Sequence, residues 1–539
     1  MRIVVGLVFL AGCSRPAPVA QPRGGELRTF LMDNPRSLDP VEAADTISGE
    51  VAGQIFEGLL QYRPYDPARG LELVPAIAER AEIRDGGRVH EFTIRRGVFF
   101  HDDACFAGGR GREVTADDVA FSVTRSLRHG ASGELGLALE FLRGARDFHE
   151  GRASSLSGIE TDGPWTIRFH LTRPWAGLRS LLAFEFGWVV PREAFAKYGD
   201  RFSLHPVGTG PFRLGEWDPS DHILLVRNDR YWERDAEGAR LPHLERVRMD
   251  LSGHTDYKIA AFVQGNLDVV WYQTKEHLRA STPGWKDPGV VTFETPRVNT
   301  IGLGFNLARD TPYAKSPLVR QALAHAVDLS PITDPQYAQF RPHTLLPPGL
   351  PEFDAARRAP DYDLGRARAL LAEAGYPEGR GLPPLTLQIP EHDYNYRPLV
   401  SAWQSLGIDL TVRTVSRGTH WDLVARGEPE FFRWGVMASG GSAESVYSLF
   451  WGRAPRRDFA YRNDEYDRTF EVLLGEADAA RRKGLAARLE AILAEDRPLL
   501  FVRRDSWRET VQPWVRNYGP SVNPFALRFF KIVRLEPRP

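Results

Sequence analysis

Cysteine is nearly missing from this sequence. Cys13 and Cys105 are the two in 539 residues, which excludes a disulfide framework and any all-cysteine metal site. Charge of one sign is not in excess either: 69 Lys and Arg face 70 Asp and Glu, a formal net charge of −1. The chain therefore carries no general basic field for a nucleic-acid backbone or an anionic membrane. No apolar run approaches the ~20 residues that span a bilayer. Catalytic signatures are also missing. There is no Gly-x-Ser-x-Gly elbow, no His-Glu-x-x-His and no Cys-x-x-Cys. Gly108-Gly109-Arg110-Gly111 lacks the Lys-Ser or Lys-Thr of a phosphate loop, and reads as a turn. No internal repeat is found. What remains is an ordinary folded composition, 42% hydrophobic and 26% charged, long enough for two or more domains.

The amino end is distinctive. Arg2 precedes a nine-residue apolar run, Ile3 to Ala11, the pattern of a short export signal. Leu10-Ala11-Gly12-Cys13 resembles a bacterial lipobox, in which the cysteine after the cut carries lipid. Several acyl chains hold a protein firmly, because each buried CH₂ contributes ~0.8 kcal/mol. Residues 14–25 are rich in Pro, Ala, Gln and Gly, which suits a flexible tether. With Cys13 lipidated, Cys105 is a free thiol, buried or slowly reactive.

Strand and helix patterns alternate along the chain, calling for an α/β or α+β architecture. Ile167, Phe169 and Leu171 share one face of a half-buried strand, with Arg168 and His170 on the other. Residues 223–226 form a short apolar strand, and Leu385, Leu387 and Ile389 alternate, as do Leu410 and Val412. Thr115 caps a helix whose Val119, Val123 and Leu127 lie on one face, with Asp118 at the capping-box position. Ser316-Pro317 opens a second helix and Asp363 a third, which Gly375 closes in the left-handed conformation. Leu485, Leu489, Ile492 and Leu493 mark a late helix that stops before Pro498.

Several segments, in order, resemble the family-5 extracellular solute-binding proteins of bacterial ABC importers, which include oligopeptide-, dipeptide- and nickel-binding receptors. They are Gly24-Gly25-Glu26-Leu27, Pro35-Arg36-Ser37-Leu38-Asp39-Pro40, Gln54-Ile55-Phe56-Glu57-Gly58-Leu59-Leu60 and Leu73-Val74-Pro75-Ala76-Ile77-Ala78-Glu79. The strongest are Phe92-Thr93-Ile94-Arg95-Arg96-Gly97-Val98-Phe99-Phe100-His101-Asp102 and Val114-Thr115-Ala116-Asp117-Asp118-Val119-Ala120-Phe121-Ser122. Further on come Val207-Gly208-Thr209-Gly210-Pro211-Phe212, Asn228-Asp229-Arg230-Tyr231-Trp232, Gly265-Asn266-Leu267-Asp268 and Val319-Arg320-Gln321-Ala322-Leu323 with Ala326-Val327-Asp328, then residues 367–376. Each has a structural role of its own. Gly208-Thr209-Gly210-Pro211, for instance, reads as a turn whose glycines permit positive φ.

The resemblance implies an α/β, two-lobed periplasmic-binding-protein-like fold of class II type, with an extra subdomain inserted in the N-terminal lobe. Residues 1–12 are then the lipoprotein signal peptide and 13–23 the tether. Lobe I takes 24–60, 200–296 and a C-terminal return over 501–539. The inserted subdomain is 61–199 and lobe II is 297–500. The ligand lies between the lobes, and hinge closure buries it.

In peptide-binding relatives an Asp in a stretch resembling Asp-Tyr-x-Asp-Pro holds the ligand's amino group. The corresponding stretch, near residues 434–450, puts Gly440 or a neighbour in that place, with Ser439 beside it and Glu444 as a substitute carboxylate from a shifted position. Trp434, Tyr447 and Trp451 are candidate pocket walls or core aromatics. Asn34 faces the cleft in such a fold. Asn306 opens the second lobe, as a ligand contact or a strand-end asparagine. His101-Asp102-Asp103 with Cys105 holds metal-ligating atom types, but Phe100-His101-Asp102 belongs to the family's strand-end pattern, so no metal, cofactor or catalytic residue is assigned. Asp117-Asp118 favours a helix dipole rather than acid–base work.

The expected function is an exported lipoprotein, periplasmic or on the outer face of the membrane. It is not an enzyme. As a monomer it captures a peptide or peptide-like solute for an ABC permease and ATPase, touching the membrane by its lipid alone and binding no nucleic acid. The alternatives are an importer receptor for a sugar or metal chelate, or a receptor-fold sensor without transport.

Overall fold

The computed structural model describes residues 24–43, 45–64, 71–129, 134–251, 255–271, 275–296, 299–328, 339–340, 342–358, 362–391, 396–437, 442–454, 458–476, 478–519 and 529–538. Cys13 and the tether lie outside the described residues. Among the described residues, no helix is long and apolar enough to cross a membrane.

Three sheets organise the chain. The first runs Glu26–Phe30, Arg246–Asp250, His222–Arg227, Phe212–Asp218. Its first pair is parallel, with Leu27 opposite Val247, and both are buried. The second is antiparallel, in the order Ala78–Arg84, Val89–Ile94, Thr166–His170, Ile159–Asp162. Ile167 and Phe169 face inward, as their alternation requires, and share a core with Val119, Val123 and Leu127 of the helix Ala116–His129. Asp118 completes the capping box by accepting the Thr115 N–H at 2.9 Å.

The third sheet has eight strands and carries the strand Leu499–Val511, whose 13 residues have two sets of partners. Its first half pairs with Asn299–Phe305, and its second half with Val269–Trp271 and Val291–Pro296. Beyond Asn299–Phe305 lie Phe431–Met437, Leu385–Pro390 and Leu410–Val415. Leu303, Leu385, Leu387 and Phe431 form a separate core with Val319 and Leu323 of the helix Pro317–His325 and Leu370 of the helix Leu364–Glu373. Ser316 and Asp363 cap those two helices, accepting from Val319 N and Arg366 N. Gly375 follows at φ +89°, and Tyr376 N donates back to Leu371 O at 2.8 Å. The last long helix, Ala479–Asp496, ends at Arg497, which is left-handed just before Pro498.

The segments that carry the family resemblance converge on one packed node of the first lobe. Glu57 accepts hydrogen bonds from Thr209 Oγ1 at 3.0 Å, Tyr231 Oη at 2.6 Å and Trp232 Nε1 at 3.2 Å. Burial raises its carboxyl above the ordinary range. Lys531, from the end of the chain, bonds Glu233 and Gln61 beside it. The glycines of Gly208-Thr209-Gly210-Pro211 serve a different purpose from the one expected. Neither has positive φ. A β-carbon on Gly208 would overlap the Ile55 carbonyl oxygen, and one on Gly210 would stand 2.6 Å from Gln54 O. Room for a neighbouring backbone, not a left-handed turn, is what requires glycine there.

Candidate functional site

Within the third sheet the strand Leu499–Val511 changes partners near residues 503–506, from Asn299–Phe305 to Val291–Pro296. Arg504 sits at this change of partners, 1% exposed. Its guanidinium donates to Asn299 O at 3.0 Å, Thr300 Oγ1 at 2.7 Å, and Thr344 O and Leu346 O at 2.9 Å each. Burial pushes this arginine down to about 9, against the pull of Glu490. The Glu490 carboxylate accepts the N–H groups of Leu345 (2.8 Å) and Leu346 (3.1 Å). Segment 344–346 is thus held by its carbonyls from one side and by its amides from the other.

The strand Phe431–Met437 leads from the core of the third sheet to the stretch that sequence reasoning singled out. Ser439 and Gly440 lie outside the described residues. Ser442 then caps the helix Ala443–Tyr447, accepting from Ser445 N at 3.2 Å. Glu444 is 2% exposed, and one of its oxygens is 2.8 Å from Arg482 Nη2. Arg482 also bonds Glu352 Oε1 at 2.6 Å and donates to the carbonyls of Leu473 and Glu476 at 3.2 and 3.1 Å. One guanidinium therefore joins four segments, with two buried carboxylates holding its charge.

The aromatic candidates are engaged with the protein itself. Trp434 donates to Asp458 Oδ2 at 3.1 Å and packs edge-on against Phe459, ring centres 4.8 Å apart. Tyr447 is fully buried, its hydroxyl 3.4 Å from Ala486 O and 3.5 Å from Glu490. Trp451 packs against Phe470 at 5.7 Å and against Phe141, at the end of the helix Glu134–Phe141, at 6.2 Å.

Asn34 stands apart, on the first lobe. It accepts from Trp217 Nε1 at 3.0 Å and donates to Pro219 O at 3.2 Å. Asn306 follows the strand Asn299–Phe305 at the end where Phe305 pairs with Phe431. Its side chain donates to Gly427 O at 2.8 Å and accepts from Ala308 N at 3.1 Å. Glu444, Tyr447 and Trp451 are thus held by Arg482, Glu490 and Phe470 respectively, and Asn34 and Asn306 lie elsewhere.

His101 carries no metal-binding capacity as placed. Its Nε2 is 2.9 Å from Gly210 O and its Nδ1 3.3 Å from Gly208 N, so both ring nitrogens serve backbone partners. The Cys105 thiol is pushed up to about 12, chiefly by burial and then by Asp103. Among the described residues, no cluster of three or more His, Cys, Asp or Glu could hold a metal ion.

Sequence reasoning missed Arg482, Glu352, Glu490 and Arg504. In the sequence Arg482 stands in Arg481-Arg482-Lys483, which reads as a solvated helix face. Its two carboxylate partners stand 130 and 38 positions away, and no local pattern carries that.

The profile of the bacterial extracellular solute-binding proteins, family 5 (middle), matches residues 72–457. The chain belongs to this family. Family-5 proteins are non-enzymatic binding components of ABC transporters, and this family-5 protein is not an enzyme. It is 25% identical over 493 residues to the dipeptide-binding protein of Escherichia coli, covering 86% of each chain. It is 26% identical over 512 residues to an E. coli protein named as a probable deoxycholate-binding periplasmic protein, covering 91% of this chain and 90% of that one. Among solved structures, the periplasmic binding protein DppA of Helicobacter pylori, in complex with the peptide STSA, superposes with a TM-score of 0.75 at 22% identity. That alignment covers 96% of this chain and 99% of the other, and it shows the shared two-lobed fold.

Proposed function

We propose that this family-5 protein is the extracytoplasmic receptor of an ABC importer, held to the membrane by a lipid on Cys13. It captures a peptide or peptide-like solute between its lobes and delivers it to the permease and its ATPase. Family membership supports the receptor role, and the lipobox-like Leu10-Ala11-Gly12-Cys13 supports the anchor.

The ion pair between Glu444 and Arg482 carries the reading of ligand class. Residues 438–443 read Ala-Ser-Gly-Gly-Ser-Ala and contain no carboxylate. Glu444, the nearest acid, already neutralises a buried arginine. A free peptide ammonium entering beside that stretch would find no counter-charge in it, and burying an unpaired ammonium is strongly unfavourable. A solute with a blocked amino end, or with none, avoids that cost. The two relatives named for a dipeptide and for deoxycholate illustrate how widely such ligands differ.

A thermal-shift comparison of free and amino-blocked peptide pools, with protein lacking residues 1–22, tests this. A ligand at a hundredfold its Kd adds ~2.7 kcal/mol of stability. Blocked pools are expected to raise the melting temperature and free pools to leave it unchanged. A shift with free peptides alone overturns the ligand class.

A further inference from the structure

We propose that an aromatic latch between the inserted subdomain and the second lobe holds the lobes together and sets how often the free receptor opens. On the subdomain side are Phe141 and Trp175, each 1% exposed; on the lobe side are Trp451 (2%), Phe470 (0%) and Leu474 (0%). Phe141 lies 5.5 Å from Trp175 and 6.2 Å from Trp451, ring centre to ring centre. The Arg173 guanidinium is 4.5 Å over Phe141 and 5.7 Å over Trp451, so one cation faces rings from both sides of the contact. It also lies 3.7 Å from Glu471, which Arg453 meets at 3.3 Å. One backbone bond closes the contact, from Ala176 N to Leu474 O at 3.4 Å.

None of these residues lies in 503–506, where Leu499–Val511 changes partners within the third sheet. The contact is held by side chains and a single hydrogen bond, and a hinge motion about that change of partners draws its two sides apart. Removing these five large apolar side chains from water favours the closed state. An opposing feature keeps the latch reversible. The indole N–H groups of Trp175 and Trp451 are both buried with no hydrogen-bond acceptor among the described residues. Opening returns them to water, which lowers the cost of release.

The latch is mechanically joined to the ligand stretch. Arg482 bonds Glu444, three residues past 441, and also the carbonyls of Leu473 and Glu476, which flank Leu474. The lobe side of the latch and the helix following the ligand stretch therefore move as one body. The inference rests on the receptor reading for its purpose, but its test requires no ligand.

The test uses the full chain in a Cys13→Ala, Cys105→Ser background. Spin labels go at Ile83→Cys and Val412→Cys, which are exposed and remote from the latch. Double electron–electron resonance reads the distance between subdomain and lobe without ligand. The background is expected to show one dominant short distance. Trp451→Ala is expected to raise the ratio of long to short distances by roughly tenfold, and Trp451→Phe to restore most of the short population while folding equally well. In the same background, Ala176→Cys with Gly475→Cys should form a disulfide under mild oxidation in the free protein. An unchanged distance distribution in Trp451→Ala, or failure of that pair to cross-link, overturns the latch. Neither result depends on which solute binds, so failure of the ligand class leaves this inference standing.

Discussion

Both ring nitrogens of His101 serve the backbone of Gly208-Thr209-Gly210, which fixes the imidazole as neutral, with the proton on Nε2 donated to Gly210 O. Burial pushes this histidine down to about 4. The folded state therefore favours the neutral form, while the unfolded chain takes up a proton below about 6.5. The stabilisation is fully present above that value and is lost as pH falls toward 4, amounting to about 3 kcal/mol. Glu185 acts in the opposite sense. Burial raises it from 4.5 to about 7, so its contribution is present at low pH and fades as pH rises between those values. Comparing His101→Gln with the parent protein isolates the imidazole. Denaturant midpoints from pH 7 to 4.5 should fall less steeply in the variant, although it is less stable at pH 7. Gly208→Ala should lose about 3 kcal/mol or more, because its β-carbon has nowhere to go. The sequence motif announced glycine at this place but misassigned the reason, since close approach by Ile55 is a contact 153 positions away in the chain and leaves no local mark.

At the scale of elements, termini were the legible part. Thr115, Ser316 and Asp363 each stand where a helix starts, because capping is local chemistry that four consecutive residues decide. The strand Leu499–Val511 was not legible. Arg503, Arg504, Glu509 and Thr510 are all buried within it, and their partners come from elsewhere in the fold, so the run never showed the apolar alternation of a half-buried strand. The candidate site was legible as a stretch of sequence, while the partners of its side chains were not. Glu444 was read as a possible ligand for an ammonium, and it holds Arg482. Arg482→Met should destabilise the protein by about 3–5 kcal/mol, since it leaves two buried carboxylates without a cation. Adding Glu352→Gln and Glu444→Gln to that variant should recover a large part of the loss, measured by urea denaturation.

At the scale of the whole molecule, order of segments along the chain carried the two-lobed fold, because many weak motifs in fixed sequence are harder to match by accident than one strong one. The anchor belongs to this scale as well. Metabolic palmitate labelling should mark the parent protein and be abolished in Cys13→Ala; persistence of label in that variant would refute lipidation at Cys13. The two lobes are also unequal in how they close their cores. One hydrophobic cluster extends from the first lobe through the subdomain to Trp451 and Phe470, whereas the second core is confined to its own sheet and helices.

The strand Leu499–Val511 lies between Val269–Trp271 and Asn299–Phe305 in the third sheet, yet it is nearly the last element to be made. A nascent chain emerging amino end first has all the other strands of that sheet available and lacks the one that joins Val269–Trp271 and Val291–Pro296 to the rest. Until residue 511 is synthesised, Val269–Trp271 and Val291–Pro296 lack their partner and Asn299–Phe305 has Phe431–Met437 on one side alone, and Lys531 has yet to reach Glu233. The late strand therefore makes the carboxyl-terminal part of the sequence the step that joins the two parts of the sheet, whatever has paired before it.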